Sequence, residues 1–182
     1  MNATSTVLLA VALLTALAWG GGKNAVSAEI DKPLQVVVVP RQRIMSGQAL
    51  AFRIVLRNVG DAPLLLNGGG VLGNGRHAWS AVKCTVQAGA GRPLPLSLHW
   101  GLGGVSGRVY VLGLVLGPGD THGIEVTPDD YWVATALPVG KATLQCEFTG
   151  SPSDAAAWPA TWVGTTSSAP VPIELTDGRP KA

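Results

Sequence analysis

Gln48-Ala-Leu-Ala-Phe-Arg-Ile-Val-Leu-Arg-Asn-Val-Gly-Asp-Ala-Pro-Leu-Leu-Leu66 is the stretch from which the rest of the chain can be read. Leu50, Phe52, Ile54 and Leu56 alternate with Ala51, Arg53, Val55 and Arg57, the period-2 pattern of a strand with one face on a core and one toward water. The run stops at Asn58-Val-Gly60-Asp61-Ala-Pro63: Gly can take φ > 0, Asp can bond its neighbours' backbone, and Pro cannot donate to a ladder. Leu64 to Leu66 is then expected as the returning strand of a hairpin, and the pair as half of a β-sandwich.

The same grammar repeats downstream. Leu34 to Val39 is an apolar strand ended by Pro40, and Trp79 to Val86 places Val82, Cys84 and Val86 on one side. Leu94, Leu96, Leu98 and Trp100 make a further strand, with Pro95 suggesting an edge. Arg108 to Leu116 is apolar on both faces after Arg108, which predicts a central strand. Gly117-Pro-Gly-Asp120 is a tight turn into Thr121 to Val126. Ala142, Leu144, Cys146 and Phe148 alternate with Lys141, Thr143, Gln145 and Glu147, and Val171, Ile173 and Leu175 form a last strand with Pro172 at its exposed edge. Hardly any stretch has helical periodicity. The expectation is an all-β, antiparallel sandwich of eight to nine strands in one domain, residues 29–176, with a frayed polar tail at 177–182.

Residues 1–28 stand apart. Val7 to Trp19 is an uncharged run about the length of a signal-peptide core and short for a bilayer span, and Val26-Ser-Ala28 puts small residues where a signal peptidase cuts. No Lys or Arg precedes the run, which leaves an uncleaved anchor as the rival reading. Cleavage before Glu29 predicts an exported protein, periplasmic or extracellular, with no membrane segment in its mature form. With 13 basic against 11 acidic residues and no basic cluster, nucleic acid is not an expected partner. Cys84 and Cys146 are the two cysteines, and both point inward on their strands. In an exported chain they are expected as a disulfide, here predicted to bridge the two sheets and to stabilise the fold by about 4 kcal/mol.

These segments together resemble the immunoglobulin-like sandwich modules of exported bacterial proteins. The likeness lies in the strand at 48–58 with its Asn-Val-Gly-Asp-Ala-Pro turn, Leu116-Gly-Pro-Gly-Asp120, Leu137-Pro-Val-Gly140 before Ala-Thr-Leu-Gln-Cys146, and Trp162-Val-Gly ahead of Ser168. The order Cys84, Trp100, Cys146 is similar to that of immunoglobulin domains, but Leu144 stands two before the second cysteine where those domains carry a Tyr. The resemblance therefore implies the sandwich class, and no functional motif comes with it.

Candidate chemistry is sparse. Gly68-Gly-Gly70-Val-Leu-Gly73 matches GxGxxG but precedes Asn74-Gly-Arg-His-Ala-Trp79 and a strand in place of the helix that phosphate binding needs, so a flexible loop is expected. Alternation of loops between the two ends of a sandwich places 40–47, 68–77, 101–107 and 127–140 at one end, and 59–63, 87–93, 117–120 and 150–169 at the other. His77 and His99 can then meet, while His122 is expected at the opposite end, which disfavours a three-histidine metal site. Asp129 and Asp130 are weak candidates for Ca²⁺, and no cofactor is expected. No nucleophile has a base at motif spacing, so an enzyme is not expected.

What remains is recognition by loops. His77, Trp79, Tyr131 and Trp132 gather beside glycine-rich segments at one end, with Trp158 and Trp162 on the long 150–169 connection at the other. The rival reading, which takes precedence, is that Trp79 and Trp132 cap the core. The expected function is a non-catalytic exported module that binds a protein or glycan partner or builds part of the envelope. The alternative is a protease inhibitor, since Gly101-Leu-Gly-Gly104 resembles one loop of chagasin-type cysteine-protease inhibitors; that family's other two loop motifs are absent.

Overall fold

Alternation along residues 50–57 obliges every second side chain to find a dry partner, and the computed structural model of the chain shows where those partners are. It describes residues 32–41, 44–46, 50–71, 77–98, 110–132, 137, 139–152 and 161–177. Within them the chain is all-β, with no α-helix and one 3-10 turn at Pro128–Asp130. The strands are β1 (Leu34–Pro40), β2 (Ile44–Ser46), β3 (Phe52–Asn58), β4 (Leu64–Val71), β5 (His77–Ala78), β6 (Val82–Ala88) and β7 (Leu94–Leu98), then β8 (Tyr110–Leu116), β9 (Thr121–Val126), β10 (Tyr131–Trp132), β11 (Gly140–Gly150), β12 (Gly164–Ser167) and β13 (Val171–Thr176).

They form three sheets, β1-β3-β9, β5-β4-β8 and the larger β10-β7-β6-β11-β13-β2, in which β12 also pairs β11. All pairs are antiparallel except β13 with β2. The inward positions of all three sheets meet in one core. Leu34, Val36 and Val38 of β1, Phe52, Ile54 and Leu56 of β3, Leu66 of β4, Val86 of β6 and Leu144 and Phe148 of β11 are all buried in it. The result is β-sandwich-like. The strands outnumber those expected because β2, β5, β10 and β12 are two to four residues long, too short to show a period.

The opening stretch is not a hairpin. β3 pairs with β1 and β9, whereas β4 pairs with β5 and β8, so residues 59–63 carry the chain from one sheet into another. The turn from β8 to β9 makes the reverse crossing beside it. Asn58, fully buried, ties the two crossings together: its Nδ2 donates to Ala62 O at 2.8 Å and Leu116 O at 2.9 Å, and its Oδ1 accepts from Gly60 N at 2.9 Å. Its backbone N–H donates to Asp120 O, and its carbonyl accepts from Gly119 N, both at 3.0 Å. A side-chain amide that fills three backbone partners at once, on a residue whose own N–H and C=O are also paired across the turn, is satisfied only where two crossings lie side by side, and that selects the arch over the hairpin.

The disulfide joins Cys84 to Cys146, both 1% exposed. They are register partners on neighbouring strands β6 and β11, with Cα atoms 4.1 Å apart, so the bridge lies within one sheet and not between sheets as expected. Both side chains do point inward, but in an antiparallel pair directly opposed residues share a face and meet without crossing the core.

Two further expectations change. Among the described residues β8 pairs only with β4, so it is an edge and not a central strand, and Tyr110, Val111 and Val115 are exposed on it. The 150–169 connection is not structureless: β12 pairs with the same side of β11 that β13 takes up further along. Between them buried Ser168 closes the gap, its Oγ accepting the Cys146 N–H at 3.1 Å while its own N–H donates to Cys146 O at 2.8 Å.

Candidate functional site

β9 sends His122, Ile124 and Val126 inward, and because His122 is the first of the three it sits at the rim of the core, half-buried. Beyond β9 its edge is not paired among the described residues, and the Trp79 ring packs beside that of His122. The chain reaches that position through β5, whose two residues pair with Gly70 and Val71 of β4 and deliver Trp79 just past the strand end. Trp79 is 4% exposed, and its indole lies on the backbone of Gly68, where a Cβ would come within 2.6 Å of Cζ3. The β4–β8 register shifts between Asn67 and Gly69 at the same place. Gly68 to Gly70 are thus strand residues, Gly68 receiving the indole and Gly69 lying against the backbone of Ala78 and Ser80, and the flexible loop expected there is corrected for these three positions.

The Trp79 ring centroid lies 5.2 Å from that of His122 and 6.1 Å from that of His77, the latter edge-on at 85°. The loop-parity expectation that separated His122 from His77 is therefore overturned. Parity treats each connection as confined to one end of a sandwich, but the crossings at 59–63 and 117–120 turn the chain between sheets, and the indole spans the gap that remains. Trp79 caps the core and joins the site at once.

A cleft of about 330 Å³ opens here, lined by His77, Trp79, His122, Gly123, Ile124, Glu125 and Asp130. Glu125 is held from the outer face of the β1-β3-β9 sheet by Arg41 at 2.9 Å and Arg53 at 3.5 Å. The Arg53 guanidinium lies against Gly123, where any Cβ would collide with it. Asp130 closes the 3-10 turn, its Oδ2 accepting from Thr127 N at 2.8 Å and Thr127 Oγ1 at 2.6 Å. The His122 imidazole is held below the usual histidine pKa, first by burial and then by the charges of His77 and Arg53.

The arrangement offers planar rings beside polar groups already tied to protein partners. Among the described residues no group of three or more His, Cys, Asp or Glu is placed to hold a metal ion. Asp130 was a weak calcium candidate; its Oδ2 is occupied by Thr127, and the Asp129 side chain lies outside the described residues. The backbone of Tyr131 and Trp132 pairs with Leu98 and Ser97 of β7, while their side chains, together with Trp158, His99, Trp100 and the Gly101–Gly104 loop, lie outside the described residues. Trp162 is not gathered into the cleft: it is half-buried, packs on Phe148 with ring centroids 6.2 Å apart, and its N–H donates to Leu65 O at 2.8 Å.

The sequence reasoning missed Arg53, His122 and Glu125 as companions of Trp79. Glu125 and Arg53 share the outward period of adjacent strands, a signal usable only once β3 and β9 are known to pair. No protein-family model matches the chain, and no curated protein or solved structure matches it.

Proposed function

We propose that the chain is an exported, non-catalytic binding module of immunoglobulin-like organisation, freed of residues 1–28 by signal cleavage, that takes a neutral saccharide into the cleft beside β9. The observation that carries this reading is the grouping of His77, Trp79 and His122 around one opening with Glu125 and Asp130 at its rim. Sugar rings offer C–H faces to ring planes and hydroxyls to carboxylates and imidazoles; Trp79, 4% exposed, backs the cleft, and the rings within reach of a ligand are those of His77 and His122. Glu125 is neutralised by Arg41 and Arg53, so the site favours hydroxyl donors over a cation. Export is supported by the buried Cys84–Cys146 disulfide, a bond that persists in oxidising compartments, and among the described residues no helix is long and apolar enough to cross a membrane.

A panel of immobilised neutral oligosaccharides, followed by calorimetry on any that bind, tests the reading. Binding that falls at least about tenfold in both His122→Ala and Glu125→Ala supports it, that factor being the loss of one well-formed contact. Absence of binding across the panel, or binding unchanged by both substitutions, sinks it.

A further inference from the structure

β8 departs from how edge strands are ordinarily built. An unpaired edge exposes a row of backbone N–H and C=O groups, and soluble proteins blunt it with charges, proline, bulges or a short strand. β8 is seven residues long, Tyr-Val-Leu-Gly-Leu-Val-Leu, and carries no charge and no proline. Among the described residues its other side is unpaired. Of its side chains only Leu116 is buried; Val111 is 43% and Val115 67% exposed. Leu112 and Leu114, on the inner face, are half-buried.

The order of those residues is that of a segment suited to pair with itself. Val111-Leu112-Gly113-Leu114-Val115 is the same sequence read in either direction about Gly113. In an antiparallel pair formed by two copies about a twofold axis at Gly113, Val111 faces Val115, Leu112 faces Leu114 and Gly113 faces itself. A twofold interface must be self-complementary, and this segment is so residue by residue, with no like charges opposed. The apolar period on both faces, odd for an edge, is what a central strand requires. We propose that β8 pairs with β8 of a second copy of this chain, joining two β5-β4-β8 sheets into one continuous sheet across the dimer. The interface lies on a different sheet from β9 and does not depend on the saccharide reading.

A charge swap tests both the contact and its register. Sedimentation equilibrium of the disulfide-bonded mature chain at about 100 µM, a concentration suited to small interfaces, is expected to show dimer. Val111→Lys/Val115→Lys opposes lysines twice across the axis and is expected to weaken the dimer at least about tenfold, whereas Val111→Lys/Val115→Glu opposes Lys to Glu twice and restores it. Both pairs of substitutions fall at exposed positions, and circular dichroism confirms that each variant is folded. A wild-type monomer at this concentration overturns the proposal, as does a dimer indifferent to the double lysine. Failure of the lysine–glutamate variant to recover dimer overturns the register about Gly113.

Discussion

β11 and β8 are both rich in apolar residues, and the structure treats them oppositely. β11 runs for eleven residues with neighbours on both sides, and its inward Leu144, Cys146 and Phe148 are fully or almost fully buried. β8 pairs on one side only among the described residues and leaves Val111 and Val115 exposed. The difference lies in what alternates. β11 interleaves its apolar residues with Lys141, Thr143, Gln145 and Glu147, which commits one face to water, whereas β8 after Tyr110 has no polar side chain on either face. An apolar run on both faces signals a strand meant to have two neighbours, and it does not say whether both come from the same chain.

The largest effect that sharpens this contrast is expected at the bridge that pins β11 to β6. Cys84→Ala/Cys146→Ala releases a constraint with a sequence separation of 62 and is expected to cost about 4 kcal/mol in the chain-entropy model, read as a lower denaturation midpoint in urea. Leu144→Ala in β11 should cost about 3 kcal/mol, against about 1 kcal/mol for Leu114→Ala in half-buried β8 measured on the monomer. Equal losses at the two positions would erase the distinction between the strands.

At the crossings that separate the two sheets, Asn58→Asp replaces the donor that serves Ala62 O and Leu116 O with a carboxylate oxygen. A loss of about 2 kcal/mol or more is expected in equilibrium unfolding at neutral pH. The smallest effect concerns pH. Burial and the charges of His77 and Arg53 lower the His122 pKa in the folded state, so above the unfolded histidine pKa both states are neutral and the group contributes nothing. Below it the unfolded chain binds the proton first, and stability falls as the pH drops. Unfolding curves from about pH 7 to pH 5 are expected to show a shallower decline in His122→Gln than in the wild type.

Much of this architecture is local and therefore legible along the chain. The apolar run at 34–39 becomes a strand, and the period-2 runs at 52–58, 82–86, 142–148 and 171–175 become strands with the expected residues inward, because side-chain alternation depends only on neighbouring backbone. The pairing of Cys84 with Cys146 follows from there being two cysteines. Trp79 is expected from the sequence either as a core cap or as part of a binding end; it is 4% exposed, and its ring lines the cleft beside β9.

What the tertiary structure alone decided is which strands neighbour which. Asn58 has the same turn chemistry in a hairpin as in an arch, and only the presence of Leu116 O and Asp120 O beside it makes the arch the satisfied state. That crossing places β9 against Trp79, brings His122 to His77, and sets Arg53 beside Glu125 on adjacent strands. The Val111–Val115 palindrome is visible in the bare sequence, but it acquires meaning only when β8 is found at an edge. Alternation is set by bonds one residue apart, whereas sheet membership is set by hydrogen-bond partners dozens of residues away, and no local period encodes that choice.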